Sequence, residues 1–200
     1  IFGEPNVIPT SEEDFAGEPV SPYGVAKKKL NDFIKLMLEN EKMSYSILNL
    51  SNVYGPRQDP HGEAGVMSIF TGKMLNKEKP IIYGDGKQRR DFTHVDDIVD
   101  GLVRCIDTDG YNEYEFGRGR NYSINEIADA FGEDYPREHI MAYKGEMRET
   151  LCTDIEAIEE LGWKPTRDVI EYIKDVINIS FLILDFSLIL RLTAKVRYLS

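Results

Sequence analysis

Tyr23 and Lys27 lie four residues apart and are the first pair in this 200-residue chain whose types and spacing could do chemistry. On a helix, side chains at that spacing project from one face. An ammonium beside a phenol favours the phenolate, and in a partly dry site such a tyrosine can act as a general base near neutral pH. The spacing alone fits two surface residues equally well, because Tyr83 and Lys87 share it around the turn Gly84-Asp85-Gly86. Asn52 closes an apolar run and offers an amide with donors and acceptors; it is either a ligand contact or a turn residue. Arg90 carries a planar fork suited to phosphate oxygens, the alternative being an ordinary strand arginine paired with Asp91 or Asp96.

Other chemistries are disfavoured. His61, His94 and His139 have no cysteine or histidine partner at zinc spacing, so no metal site is expected. Cys105 and Cys152 are isolated, which fits a reducing cytoplasm better than a disulfide framework. With 24 basic and 35 acidic residues, the net charge of −11 argues against nucleic acid as the main partner, since a phosphate backbone needs a basic face. A content of 42% hydrophobic and 30% charged residues is ordinary for a soluble globular domain.

The elements that must hold these residues alternate between helix and short strand. Ala26, Leu30, Phe33, Ile34 and Met37 recur at helical spacing from Pro22 to about Asn40, with Ser21 as N-cap and Pro22 in the first turn. Strands are expected at Tyr45–Leu50, Ile81–Tyr83, Arg90–His94, Tyr114–Phe116 and Ile140–Tyr143. Helices are expected at Val66–Asn76, Asp96–Asp107, Ser123–Phe131, 154–161 and 167–177, the third opened by a capping box of Ser123 and Glu126. This alternation implies an α/β fold. The apolar stretch Ile179–Leu190 is too short to span a bilayer, so no membrane role is expected.

Four segments stand in order: Ser21-Pro22-Tyr23-Gly24-Val25-Ala26-Lys27, Asn49-Leu50-Ser51-Asn52-Val53-Tyr54-Gly55-Pro56-Arg57-Gln58, Ile82-Tyr83-Gly84-Asp85-Gly86 and Arg90-Asp91-Phe92-Thr93-His94-Val95-Asp96-Asp97. Gly145-Glu146-Met147-Arg148 and Leu161-Gly162-Trp163-Lys164-Pro165 follow them. The series resembles the extended short-chain dehydrogenase/reductase family of NAD-dependent epimerases and dehydratases, most closely its UDP-glucose 4-epimerase-like branch. The likeness runs from Ile1 to about Ile177.

The resemblance implies the carboxy-terminal part of a Rossmann-like parallel sheet with a smaller mixed α/β substrate-binding domain. Residues 1–60, with 91–120 returning, would belong to the NAD-binding part, 61–177 mainly to the nucleotide-sugar part, and 178–200 to an atypical apolar tail. It implies NAD as cofactor, a UDP-hexose as substrate and a homodimer built on the 22–40 helix, where Leu36 and Leu38 lie off the main stripe. Tyr23 would be the base and Lys27 the partner that binds the nicotinamide ribose. Asn52, Arg90, Tyr83, Val66, Phe70, Lys144 and Glu146 would line the nucleotide-sugar site, with core packing the alternative for Phe70. Where the family has an arginine shortly before Gly-Asp/Glu, this chain has Tyr143-Lys144, and an ammonium lacks bidentate geometry.

No glycine-rich dinucleotide fingerprint occurs in the sequence. Gly117-Arg118-Gly119 comes nearest, as a strand-to-helix turn without the third glycine. Ile1-Phe2-Gly3-Glu4 resembles the family's segment just after its catalytic Ser/Thr, so the chain is expected to begin internally and to be inactive alone. A 4,6-dehydratase of the same family and a non-catalytic nucleotide-binding relative are the alternatives to an epimerase.

Overall fold

The computed structural model of the chain describes residues 8–10, 19–61, 65–142, 148–152 and 155–180. Helix α1 (Pro22–Asn40) opens as its sequence dictates: Ser21 Oγ accepts the Gly24 N–H at 3.0 Å, and Pro22 brings no N–H to satisfy. It closes on Lys42, whose φ of 55° lets the Met43 N–H reach back to the Leu38 carbonyl at 2.9 Å. The inner side of α1 meets the sheet through polar groups. Asn31 donates to Asn49 Oδ1 at 3.2 Å, and Lys35 pairs with Glu113. Ala26, Leu30, Phe33 and Met37, the stripe that marks the helix in the sequence, are exposed instead.

Strand β1 (Tyr45–Leu50) pairs in parallel with β5 (Tyr111–Phe116), Tyr45 opposite Tyr111 and Leu50 opposite Phe116. Strand β2 (Asn52–Tyr54) lies parallel to β4 (Arg89–His94), which pairs on its other edge with antiparallel β6 (Asn121–Ser123). Strand β3 (Ile81–Tyr83) is parallel to β7 (Glu138–Ile140). The helices between them are α2 (Val66–Leu75), α3 (Val95–Arg104) with a 3-10 turn at Cys105–Asp107, α4 (Ile124–Ala130), α5 (Ile155–Leu161) and α6 (169–180). The fold is mixed α/β with parallel strand pairs, as its alternating pattern requires.

Some boundaries differ from those expected. The seventh strand lies at Glu138–Ile140, paired with Ile81–Tyr83, and residues 141 and 142 are not part of it; residue 143 of the expected strand lies outside the described residues. Residues 121–123 form a strand rather than the lead-in to a helix, so the turn at Gly117-Arg118-Gly119 joins strand to strand. The last helix takes in 178–180; residues 181–200 of the apolar segment lie outside the described residues.

Two apolar clusters hold these elements. Tyr54, Met67, Phe70, Ile82, Phe92 and Ile127, with Ile173 of α6, form one between β2, β4, α2 and α4. The second joins β5 to α3 and α5 through Ile98, Tyr114, Phe116, Ala157 and Trp163. The motif Leu161-Gly162-Trp163 has a mechanical role here. Gly162 at φ 60° ends α5, with the Trp163 N–H donating to Ala157 at 3.1 Å, and the indole stacks on Phe116 at 4.4 Å. A Cβ on Gly101 would meet that Phe116 ring at 1.9 Å, so only glycine fits there.

Candidate active site

Lys27 Nζ lies 5.5 Å from the centroid of the Tyr23 ring, so the pair shares one face of α1 as its spacing requires. Both residues are exposed. The remainder of α1 shows where this face sits. Lys35 pairs with Glu113 at mid-strand, and Asn31, one turn earlier, reaches Asn49 near the end of β1. A helical turn advances about 5.4 Å and two strand residues about 6.6 Å, so helix and strand run antiparallel in near step. Lys27 and Tyr23, one and two turns further, therefore lie beyond the carboxyl end of β1. That end is where open α/β sheets bind ligands.

Asn52 begins β2 directly after that end. Its exposed amide donates through Nδ2 to the Asp91 carbonyl at 3.0 Å, and Ser51 bonds Thr93 at 2.7 Å alongside. Arg90 is on the same strand as Asp91, two positions before Phe92, which stands opposite Asn52 in the β2–β4 register. Arg89 has a different job. Its Nε and Nη2 donate to Asn121 at 2.8 and 2.9 Å, and its Nη1 donates to Glu126 at 2.9 Å. Arg90 donates Nη1 to the Arg89 carbonyl at 2.8 Å, while Asp96 is ion-paired with Arg167 at 2.9 Å.

Tyr83 is half-buried at the end of β3 and leads into the turn Gly84-Asp85-Gly86. Gly84 and Gly86 take φ values of 70° and 71°, and a Cβ on Gly86 would collide with Asn125 Oδ1 at 2.3 Å. Arg148 forks onto both Asp85 oxygens at 3.0 and 3.2 Å, which holds the carboxyl down at about 2. Sequence reasoning missed this clamp, because only the fold brings two residues 63 positions apart together. Val66 is half-buried at the start of α2. Phe70 belongs to the core, 6.4 Å from the Phe131 ring. Lys144 and Glu146 lie outside the described residues.

Several other tyrosines are poor candidates for a base. Burial pushes the phenol of Tyr54 up, and burial with Asp168 beside it pushes Tyr122 up to about 12. The amides of Gly117-Arg118-Gly119 do not form an empty phosphate cradle. Arg118 N–H and Gly119 N–H donate to the Asp91 carboxylate at 2.8 and 3.1 Å, so the anion they hold is the chain's own. Among the described residues, no group of three metal-ligating side chains occurs and no helix is long and apolar enough to cross a membrane.

Parallel strand pairs joined through helices define an α/β protein of the class that binds ligands outside the carboxyl ends of its strands. The chain belongs to the NAD dependent epimerase/dehydratase family, whose profile matches residues 1–117. A Methanocaldococcus jannaschii protein provisionally named UDP-glucose 4-epimerase is 41% identical over 188 residues, covering 89% of this chain and 59% of that protein. The UDP-glucose 4-epimerase of Mycolicibacterium smegmatis is 36% identical over 170 residues, covering 82% of this chain and 54% of that enzyme. The crystal structure of UDP-glucose 4-epimerase with UDP-glucose from Thermotoga maritima matches with a TM-score of 0.82 at 34% identity, covering 92% of this chain and 61% of that one. The chain thus spans 54–61% of the length of these relatives.

Proposed function

We propose that the chain carries the base and the nucleotide-sugar face of an NAD-dependent epimerase that inverts C4 of a UDP-hexose. The observation that carries this reading is the Tyr23–Lys27 pair on α1, a helix whose contacts to Asn49 and Glu113 run it antiparallel to β1, toward that strand's carboxyl end. Bound NAD would supply the hydride acceptor and donor. Lys27 fits that cofactor's ribose: among the described residues its ammonium makes only the contact to the Tyr23 ring, leaving three donors for hydroxyl groups. Tyr23 takes the proton of the sugar 4-hydroxyl and, once the 4-keto sugar has turned to offer its other face to the hydride, returns that proton to the C4 oxygen. Asn52 holds the sugar, Arg90 the diphosphate, and Tyr83 with Val66 the base. Lys144 and Glu146 complete the proposed lining, while Phe70, first expected there, packs in the core.

The relatives' names support UDP-glucose as the substrate to test first. In a protein that joins these residues to a dinucleotide cradle, UDP-glucose should be converted to UDP-galactose. Tyr23→Phe should lower turnover by about 10²–10⁴, the scale of general acid–base catalysis, and leave UDP-glucose binding in place. Unchanged turnover would sink the assignment of the base. A 4-keto-6-deoxy product would move the reading to a 4,6-dehydratase. We place residues 1–60 with the dinucleotide part, 91–120 returning to it, and the rest of 61–177 with the nucleotide-sugar part, and assign the pairing of two copies to α1. The 200 residues alone, lacking a glycine-rich fingerprint, should bind the nucleotide sugar without turning it over.

A further inference from the structure

Asp91 is completely buried, with a relative exposure of 0%, between the candidate site and the loop that follows β5. A buried carboxylate needs donors, and this one has the N–H groups of Arg118 and Gly119 at 2.8 and 3.1 Å. The loop is fitted to it closely. A Cβ on Gly117 would lie 2.8 Å from Asp91 Oδ2 and 2.5 Å from the Cys152 Cβ. The backbone carbonyl of Asp91 accepts from Asn52 Nδ2 at 3.0 Å.

Asn52 is exposed, so water could satisfy its amide without help. The bond to Asp91 therefore supplies orientation rather than satisfaction. With one Nδ2 hydrogen engaged, the amide plane is set, and the second hydrogen and Oδ1 are left for a ligand. The carboxylate in turn fixes that stretch of β4 against the 117–119 loop, and with it the carbonyl that Asn52 uses.

We propose that Asp91 is a positioning residue for nucleotide-sugar recognition, acting through its carbonyl on Asn52; this rests on the nucleotide-sugar reading above. Replacing one carboxylate oxygen by NH2 sets a donor against a backbone N–H, so Asp91→Asn disturbs the carbonyl while preserving shape.

Calorimetric titration of the 200-residue chain with UDP-glucose and with UMP separates this role from a structural one. Asp91→Asn should weaken UDP-glucose by about tenfold, the worth of one oriented hydrogen bond, and leave UMP nearly unchanged. In an Asn52→Ala background the same substitution should cost no further UDP-glucose affinity. Equal losses for both ligands, no loss, or a loss additive with Asn52→Ala would each overturn the proposal. Should Asp91→Asn fail to fold, the wild-type Asn52 side-chain amide answers by NMR. A scalar coupling across the hydrogen bond from Asn52 Nδ2 to the Asp91 carbonyl, with amide protons that move on adding UDP-glucose but not UMP, supports the proposal; absence of that coupling or unmoved protons overturns it. A wild-type chain that binds no UDP-glucose would remove the nucleotide-sugar reading and this inference together. Normal binding with an indifferent Asp91→Asn would remove the inference alone.

Discussion

Arg89 and Arg90 are adjacent and identical in type, yet their side chains do different work. The guanidinium of Arg89 is held by Asn121 and Glu126, the latter also closing the capping box of α4 through its bond from the Ser123 N–H at 2.7 Å. Arg89→Ala should therefore cost about 1–2 kcal/mol of stability, since part of the network is solvent-screened, with little change in ligand preference. Arg90→Ala should do the reverse. UDP affinity should fall about tenfold or more through loss of a charged donor to the diphosphate, while uridine affinity and the melting temperature change little. Urea denaturation and titration with the two ligands check both halves. A stability loss confined to Arg90→Ala would show the two roles exchanged. The resemblance favoured Arg90 over Arg89 for the ligand; what Arg89 holds instead became legible only from the register of β4 against β6 and the place of Glu126.

Periodicity found α1 and the helical segments where side chains repeat over several turns, and the Ser123–Glu126 box and the Ser21-Pro22 start appear in the structure as written. It did not find β2 or β6. Three residues cannot show a period of two, and Asn52–Tyr54 and Asn121–Ser123 become strands because Arg89–His94 offers both its edges. Helix α3 holds a feature that composition hides. His94 is its N-cap, with Nδ1 accepting the Asp96 N–H at 3.1 Å, and the ring is packed edge-on against Tyr54 and Tyr172. Burial, aided by Arg167, pushes the imidazole below its ordinary value of 6.5. The neutral ring is the form that caps, so the unfolded chain binds the extra proton first. The contribution of His94 is complete above about pH 6.5 and is lost as pH falls through that value toward the lower folded one. Loss of the cap is worth about 1 kcal/mol. Urea denaturation between pH 7 and pH 5 should show stability falling with acid, and His94→Asn, which can cap without titrating, should flatten that slope. An unaltered slope in His94→Asn would assign the acid sensitivity to other groups.

At the scale of the whole molecule, the two apolar clusters account for the strands and the later helices but leave α1 outside both. Leu30, Phe33, Leu36 and Met37 are 47%, 59%, 63% and 48% exposed, which is more apolar surface than a helix of a lone soluble domain ordinarily shows to water. Its polar contacts to β1 and β5 fix its direction, and hence the place of Tyr23, without burying its stripe. Leu36 shares the open side while Leu38 is half-buried, so of the two leucines off the stripe only the first is fully available for a contact. If α1 is the surface on which two copies meet, charges placed on that stripe should separate them with little effect on the fold. Phe33→Lys with Met37→Lys changes two exposed positions, and substitutions of that kind usually move stability by about 0.5 kcal/mol or less. Light scattering should then give one chain's mass for the double variant and twice that for the wild type, with matching thermal melts. A dimer that survives both lysines would place the contact on another surface, and a wild-type monomer would remove the pairing altogether.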